Sequence, residues 1–290
     1  MNARTATKQQ GSWTMDAADA LRAGPGFVLA EQDTNSQPGF DADKSEGARA
    51  LAAASGRLAE LQEQLFASST AGDTRSVLLV LQAMDSAGKG GIVGHVVGAV
   101  NPMGVHYTAF KKPTAEELAH YFLWRVRKHV PGAGIIGVFD RSHYEDVLIG
   151  RVRNLAAPEE IERRYGAINA FEQELAGNGT TVLKVMLHLG KAEQKLRLGE
   201  RLARADKYWK YNPGDVDERM LWDDYQAAYQ VAIDRTSTPT APWHVVPADK
   251  KWYARLVVQQ LLIDALEAMN LTWPAADFDV EAEKVRLDAS

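Results

Sequence analysis

The chain has 290 residues, 46% of them hydrophobic and 24% charged, enough for one large α/β domain with a sizeable core. Its formal charge of −5 argues against general nucleic-acid binding, so an anionic substrate would need a local basic patch. The absence of cysteine excludes disulfides, thiolate catalysis and Cys-ligated metals, and fits a reducing cytoplasm. No apolar run approaches a membrane span, and no apolar segment follows Met1-Asn2-Ala3-Arg4-Thr5 to make a secretory signal.

Residues 1–44 are polar, with Gly24-Pro25-Gly26 and Pro38-Gly39 as punctuation, and read as an extended arm with a frayed start that wraps the rest. Residues 45–290 read as a single domain. Leu51, Leu58, Leu61 and Leu65 give 46–67 the period of an amphipathic helix, a face with room for a second copy of the chain. A buried strand is expected at 75–83, a helix from Lys89 to Val100, a turn at Asn101-Pro102-Met103-Gly104 and a strand over Val105–Phe110. Thr114-Ala115-Glu116-Glu117 is a capping box that opens a helix reaching about Lys128. A third strand follows at Gly134–Phe139, then a helix from Pro158 to Leu175 and a strand over Thr181–Leu187. Helices from Lys191 to about Ala205 and Asp215 to about Asp234, a strand over Trp243–Val246 and a helix over Lys250–Met269 complete the series. Helices alternating with short buried strands specify an α/β fold with a parallel sheet covered on both faces.

The stretch Ala83-Met84-Asp85-Ser86-Ala87-Gly88-Lys89-Gly90-Gly91 joins the first strand to its helix. Backbone N–H groups of such a turn point at an anion, and Lys89 adds a mobile positive charge. The loop departs from G-x-x-x-x-G-K-[ST], with Ala83 at the first Gly and Gly90 at the hydroxyl residue that normally binds Mg²⁺. Asp85 offers a hard oxygen ligand instead. Alone, the turn reads equally well as a Gly-rich connection without a ligand.

Ligands of such sheets lie beyond the C-terminal strand ends. The third strand ends in Asp140-Arg141-Ser142-His143-Tyr144-Glu145-Asp146. Asp140 stands where an NTP-fold enzyme places its second Mg²⁺ group, and Arg141 where it could neutralise charge on a transferring phosphoryl group. Asp and Ser there also serve to cap the next helix. Two acidic strand ends together favour the functional reading. Arg197, Arg201 and Arg204, at i, i+4 and i+7, share one face of a basic helix that continues to Lys207, and Lys111 ends the second strand. A charged face is usually solvated surface, but a row of arginines over a phosphate loop suits a polyanion. The aromatics Tyr208, Trp209, Tyr211, Trp222, Tyr225, Trp243, Trp252 and Tyr253 read mostly as packing, with one free to stack on a nucleobase. The seven histidines lack metal-ligand spacing, and His143 is the best placed of them for a functional role.

Gln82–Gly91 (QAMDSAGKGG), Phe139–Val147 (FDRSHYEDV), Lys207-Tyr208-Trp209-Lys210, Trp222-Asp223-Asp224-Tyr225 and Pro242-Trp243 through Trp252-Tyr253 together resemble the family-2 polyphosphate kinases. Gly39-Phe40-Asp41-Ala42-Asp43-Lys44 belongs to the same pattern, and the resemblance spans about residues 20–270. It implies a P-loop kinase-like, thymidylate kinase-like three-layer α/β/α fold. A mainly five-stranded parallel sheet would stand at its centre, with a helical lid at about 191–215. The implied activity is reversible, Mg²⁺-assisted phosphoryl transfer between inorganic polyphosphate and adenine or guanine nucleotides, with Mn²⁺ as a substitute metal. Carried over, Asp85 and Asp140 would hold the metal. Lys89, Arg141 and the lid residues Arg197, Arg201, Arg204 and Lys207 would bind phosphates with the loop residues Ala87, Gly88, Gly90 and Gly91, Lys111 and Arg151. Ser142-His143-Tyr144-Glu145-Asp146 is most similar to the subgroup that accepts both AMP and ADP, although members of that subgroup often carry Asn where this chain has Asp140. An ATP-dependent nucleotide kinase of the same fold and a non-enzymatic polyphosphate-binding module stand as alternatives.

Overall fold

The computed structural model describes residues 13–290. The expected frayed start, residues 1–12, lies outside the described residues. Five parallel strands, β1 (Ser76–Ala83), β2 (Val105–Ala109), β3 (Ile136–Asp140), β4 (Thr180–His188) and β5 (Trp243–Pro247), form one sheet in the order β2-β3-β1-β4-β5. β1 is central and wholly buried. Its side chains alternate between the two faces. Val77, Leu79 and Leu81 enter one core, while Leu78 and Val80 enter the other.

The helices in chain order are α1 (Ala17–Leu21), α2 (Lys44–Thr70), α3 (Lys89–His95), α4 (Ala115–Leu118), α5 (Trp124–Arg127) and α6 (Ile149–Val152). They continue as α7 (Pro158–Gly177), α8 (Lys191–Leu202), α9 (Gly214–Met220), α10 (Trp222–Thr236), α11 (Lys251–Ala268) and α12 (Val280–Asp288). Leu58, Leu61 and Leu65 of α2 and Val257, Leu261 and Leu262 of α11 close one core over β1. Ile168 and Phe171 of α7 and Tyr229 and Ile233 of α10 close the other. The result is the expected three-layer α/β/α sandwich around a five-stranded parallel sheet.

Three expected helices are interrupted. The capping box forms, with Thr114 N donating to Glu117 Oε2 at 2.7 Å, but the helix stops at Leu118 and resumes at Trp124. There His120 Nδ1 donates to the Glu116 carbonyl, and its ring stacks on Trp124 at 3.8 Å, so a side chain takes the acceptor the next turn would have used. The Lys89 helix ends at His95 and passes into a 3₁₀ turn at Val97–Ala99, where β-branched and glycine residues alternate. The helix expected from Asp215 breaks at Leu221 into α9 and α10. α12 was not anticipated.

Residues 13–43 include α1 and a 3₁₀ turn at Leu29–Glu31, so the segment is less extended than expected. Ala23 N donates to Trp243 O at 2.8 Å, and Thr34 Oγ1 donates to Asp249 Oδ2 at 2.7 Å. These contacts run from β5 to the start of α11.

Candidate active site

β1 delivers the loop to the C-terminal edge of the sheet. Gly88, at φ +120°, makes the left-handed turn into α3, and Gly91 N and Ile92 N both donate to its carbonyl. Ser86 also holds a left-handed backbone, at φ +67°, and its buried hydroxyl has no partner among the described residues. A non-glycine residue held this way stores about 1 kcal/mol, a cost that persists where surroundings impose a functional geometry.

β3 delivers the second half. Its register puts Asp140 beside Leu81, and Arg141 N donates to Leu81 O at 3.0 Å. Arg141 is again left-handed, at φ +63°, and this turns its side chain back to the loop. Arg141 Nη2 lies 3.0 Å from Asp85 Oδ1, and Lys89 Nζ lies 3.8 Å from Asp140 Oδ1. Lys89 also donates to Ala83 O at 3.4 Å. Each acidic strand end is therefore paired with a cation from the other strand's turn.

Tyr107 of β2 donates to Asp140 Oδ2 at 3.1 Å; burial and the Asp140 charge push its phenol up to about 12, so it remains a donor. Burial works against the charge on Arg141, but Glu145, Asp85 and Asp140 outweigh it and raise its pKa. Glu145 is the acidic residue to which sequence reasoning gave no role. Burial raises its pKa, Arg141 and Lys89 pull it back, and the Gln82 carboxamide bridges it to Ser142 with 3.0 Å bonds on both sides. Its signal was its place on a 3₁₀ turn directly after the strand end.

One crevice of about 960 Å³ holds Asp85, Ala87, Gly88, Lys89, Gly90 and Gly91. Lys111, Asp140, Arg141, Arg201, Arg204 and Lys207 line the same space. Ten lysine and arginine side chains face four carboxylates there, so a chain with an overall charge of −5 carries a local excess of positive charge in this crevice. The arginine face of α8 runs from the sheet out to solvent. Arg201 Nη1 meets Asp215 Oδ2 at 3.2 Å and the Lys210 carbonyl at 2.9 Å. Arg204 and Lys207 share Asp206, at 2.8 and 3.5 Å. Burial and the Asp85 charge raise the pKa of Asp215, against the pull of Arg201.

Two expected phosphate ligands are placed differently. Arg197 touches the crevice but is buried, with all five N–H donors committed. Nε donates to Glu193, Nη1 to the Ser86 and Ala87 carbonyls, and Nη2 to the Ala248 and Asp249 carbonyls. It is a clamp that holds the loop against the end of β5, with no donor left for a phosphate. Arg151 lies in a separate cleft of about 710 Å³ with Asn154, Glu159, Glu162 and Asp224, away from the loop.

His143, the histidine singled out, is buried under the sheet end. Its Nε2 lies 3.2 Å from Glu172 Oε1, and Lys184 Nζ meets Glu172 Oε2 at 2.6 Å, Tyr144 Oη at 2.9 Å and the Thr236 carbonyl at 2.6 Å. Burial disfavours the Glu172 charge, but Lys184 and His143 prevail and hold its pKa low. This buried network anchors the turn that carries Glu145 and does not reach the crevice. Trp222, Tyr225, Trp243 and Tyr253 are core, whereas Trp209 is 78% exposed and lines the crevice.

No group of three or more His, Asp or Glu side chains among the described residues is arranged to hold a metal. Asp85 and Asp140 both line the crevice and are the carboxylates that could hold a hard divalent cation, with its remaining ligands from substrate phosphates and water.

The fold and this crevice define a P-loop kinase-like protein with a site for phosphates. Residues 41–274 match the family model Polyphosphate kinase 2 (PPK2), and the chain belongs to that family. It is 44% identical over 262 residues to the AMP/ADP-polyphosphate phosphotransferase of Meiothermus ruber, covering 90% of this chain and 96% of that one. It is 42% identical over 230 residues to the ADP-polyphosphate phosphotransferase of Rhodopseudomonas palustris, covering 75% and 78%. The crystal structure of polyphosphate kinase 2 from Arthrobacter aurescens TC1 is similar, with a TM-score of 0.94 and 58% identity over 96% of this chain and 98% of that one.

Proposed function

We propose that the chain transfers phosphoryl groups between inorganic polyphosphate and nucleotides, with both AMP and ADP as acceptors. The observation that carries this reading is the juxtaposition of Asp85–Arg141 and Lys89–Asp140 at the floor of a crevice rich in lysine and arginine. Membership of the polyphosphate kinase 2 family and the similarity to relatives named for this transfer support it.

Phosphoryl transfer asks little covalent chemistry of a protein and much positioning and charge neutralisation. The backbone N–H groups of Gly88, Lys89 and Gly90 and the Lys89 side chain would hold the transferring group, since Ala87 N and Gly91 N are already committed to the Met84 and Gly88 carbonyls. Arg141 would lie along it and offset the charge on its equatorial oxygens. The attacking phosphate oxygen is already ionised, so no general base is required. Asp85 and Asp140 would hold Mg²⁺, with Mn²⁺ as a substitute, and the ion supplies further neutralisation of the phosphate oxygens. Residues 191–215 would act as the lid, with Arg201, Arg204 and Lys207 along the polyphosphate.

The test is incubation of the purified protein with AMP, long-chain polyphosphate and Mg²⁺ in the absence of ATP. ADP and ATP as products support the reading. ATP from ADP with no product from AMP restricts the acceptor to ADP. Transfer from ATP to a nucleoside monophosphate, with none from polyphosphate, overturns it.

A further inference from the structure

The root of α8 carries a second buried polar side chain beside Arg197, and sequence reasoning gave it no role. Gln194 is 1% exposed, and both ends of its carboxamide are engaged. Its Nε2 donates to the Asp85 carbonyl at 3.0 Å, and its Oε1 accepts from Arg219 Nη1 of α9 at 3.0 Å. The two partners fix the orientation of the amide, because a guanidinium only donates and a carbonyl only accepts. Arg219 Nη1 also donates to the Lys191 carbonyl at 2.5 Å, which ties α9 to the first turn of α8. Gln194 and Arg197, three residues apart on one face of α8, together supply donors to the three successive carbonyls of Asp85, Ser86 and Ala87.

A trans peptide sends its N–H opposite to its C=O, and the described residues contain no cis bond. The Asp85 carbonyl, held toward α8, therefore turns the Ser86 N–H away from that helix. The Ala87 carbonyl, held by Arg197, turns the Gly88 N–H in the same way. Neither N–H bonds to a described residue, and Ser86 and Gly88 both line the crevice. Successive N–H groups in a turn with left-handed residues make an anion-binding concavity, and the Ser86 N–H adds a donor to those of Gly88, Lys89 and Gly90. Ser86 keeps its φ of +67° between two carbonyls, its predecessor's and its own, that α8 holds. A strained non-glycine backbone lasts only where its surroundings over-determine it. A buried carbonyl needs a donor in any fold, so what singles out Gln194 is the direction it gives the next N–H.

We propose that Gln194 is a positioning residue of the loop: by holding the Asp85 carbonyl it aims the Ser86 N–H at the bound phosphates, and Arg219 acts on the loop through it. This inference rests on the phosphate-loop reading above and adds to it one donor and a route from α9 into the loop. Gln194 itself touches no phosphate.

The experiment follows the backbone amide NMR signals of the loop as tripolyphosphate is added to the full chain without metal or nucleotide. In the wild type, Ser86, Gly88, Lys89 and Gly90 are expected to shift together. In Q194M the Ser86 response is expected to be lost while that of Gly88, aimed by Arg197, is kept, with tripolyphosphate bound about tenfold more weakly. R219M is expected to weaken binding about threefold, and R219K, which keeps a donor, to restore it to within about twofold of wild type. Q194M/R219M is expected to bind no more weakly than Q194M, because Arg219 acts through Gln194. Arg219 is only half-buried, so R219M carries the test even if Q194M folds poorly. An unchanged Ser86 response in Q194M overturns the positioning role, and so does an equal loss at Ser86 and Gly88, which marks general loosening of the loop. Losses that add in the double variant, or no loss in R219M, overturn the route from α9. A wild type in which Gly88, Lys89 and Gly90 respond without Ser86 defeats this inference alone; a wild type with no loop response defeats the phosphate-loop reading beneath it.

Discussion

Arg141 Nη2 and Asp85 Oδ1 meet at 3.0 Å although 56 positions separate them in the chain. The parallel pairing of β1 with β3 brings the two turns together, and the left-handed backbone of Arg141 aims the side chain at the loop. The reciprocal contact of Lys89 with Asp140, at 3.8 Å, makes a four-membered constellation in which each carboxylate answers a cation.

Asp140→Asn keeps an acceptor for Tyr107 and removes the charge that would hold a metal. Turnover is expected to fall by about 100-fold or more, with polyphosphate affinity changed less than about threefold. Steady-state kinetics beside a binding titration separate the two quantities. Wild-type turnover in this variant would sink the metal role of Asp140.

Lys89→Ala deletes the cation placed between the loop and Asp140. Transfer is expected to be abolished, a loss of about 1000-fold or more, while the melting temperature stays within a few degrees of wild type. Measurable transfer near the wild-type rate would count against the whole account of the loop.

Arg197→Met is expected to act through structure. It leaves the Ser86, Ala87, Ala248 and Asp249 carbonyls without their shared donor. The loss should be about 2–4 kcal/mol in urea unfolding. Arg197→Lys should not rescue it, because three ammonium donors cannot serve four carbonyls and Glu193 at once. Full stability with selectively weakened polyphosphate binding would instead make Arg197 a phosphate ligand.

Asp264 on α11 has its carboxyl pushed up to about 6 from 3.8 by burial. The folded state therefore holds the proton more tightly than the unfolded chain, and this group's contribution to stability declines as pH rises through that interval. Asp264→Asn should raise stability by about 1–2 kcal/mol at pH 7, with the gain vanishing near pH 4. His244, held down to about 4 by burial, titrates the opposite way in the same range, but it is common to both proteins and cancels in the difference. Thermal melts of the two proteins across pH decide it, and a pH-independent difference would refute the assignment.

The alternation of buried strands and helices, the Gly-rich turn after β1 and the acidic end of β3 were legible in the sequence, because these depend on local periodicity and on turn chemistry. The sequence also carried the family, through motifs spread over most of the chain. It could not say what each cation does. Arg197 and Arg201 sit one turn apart in α8 with the same residue type and the same face, yet one ends buried on four carbonyls and the other faces the crevice. Depth from the sheet separates them, and depth is a property of packing. Arg151, which the resemblance counted among the phosphate ligands, belongs to another cleft, since the turn after β3 carries it away. Arg255 follows the Trp252-Tyr253 motif by two residues, yet only the packing of α11 against α3 places its guanidinium beside Gly91. Periodicity assigns a residue to an element and a face, and the tertiary fold decides what that face meets.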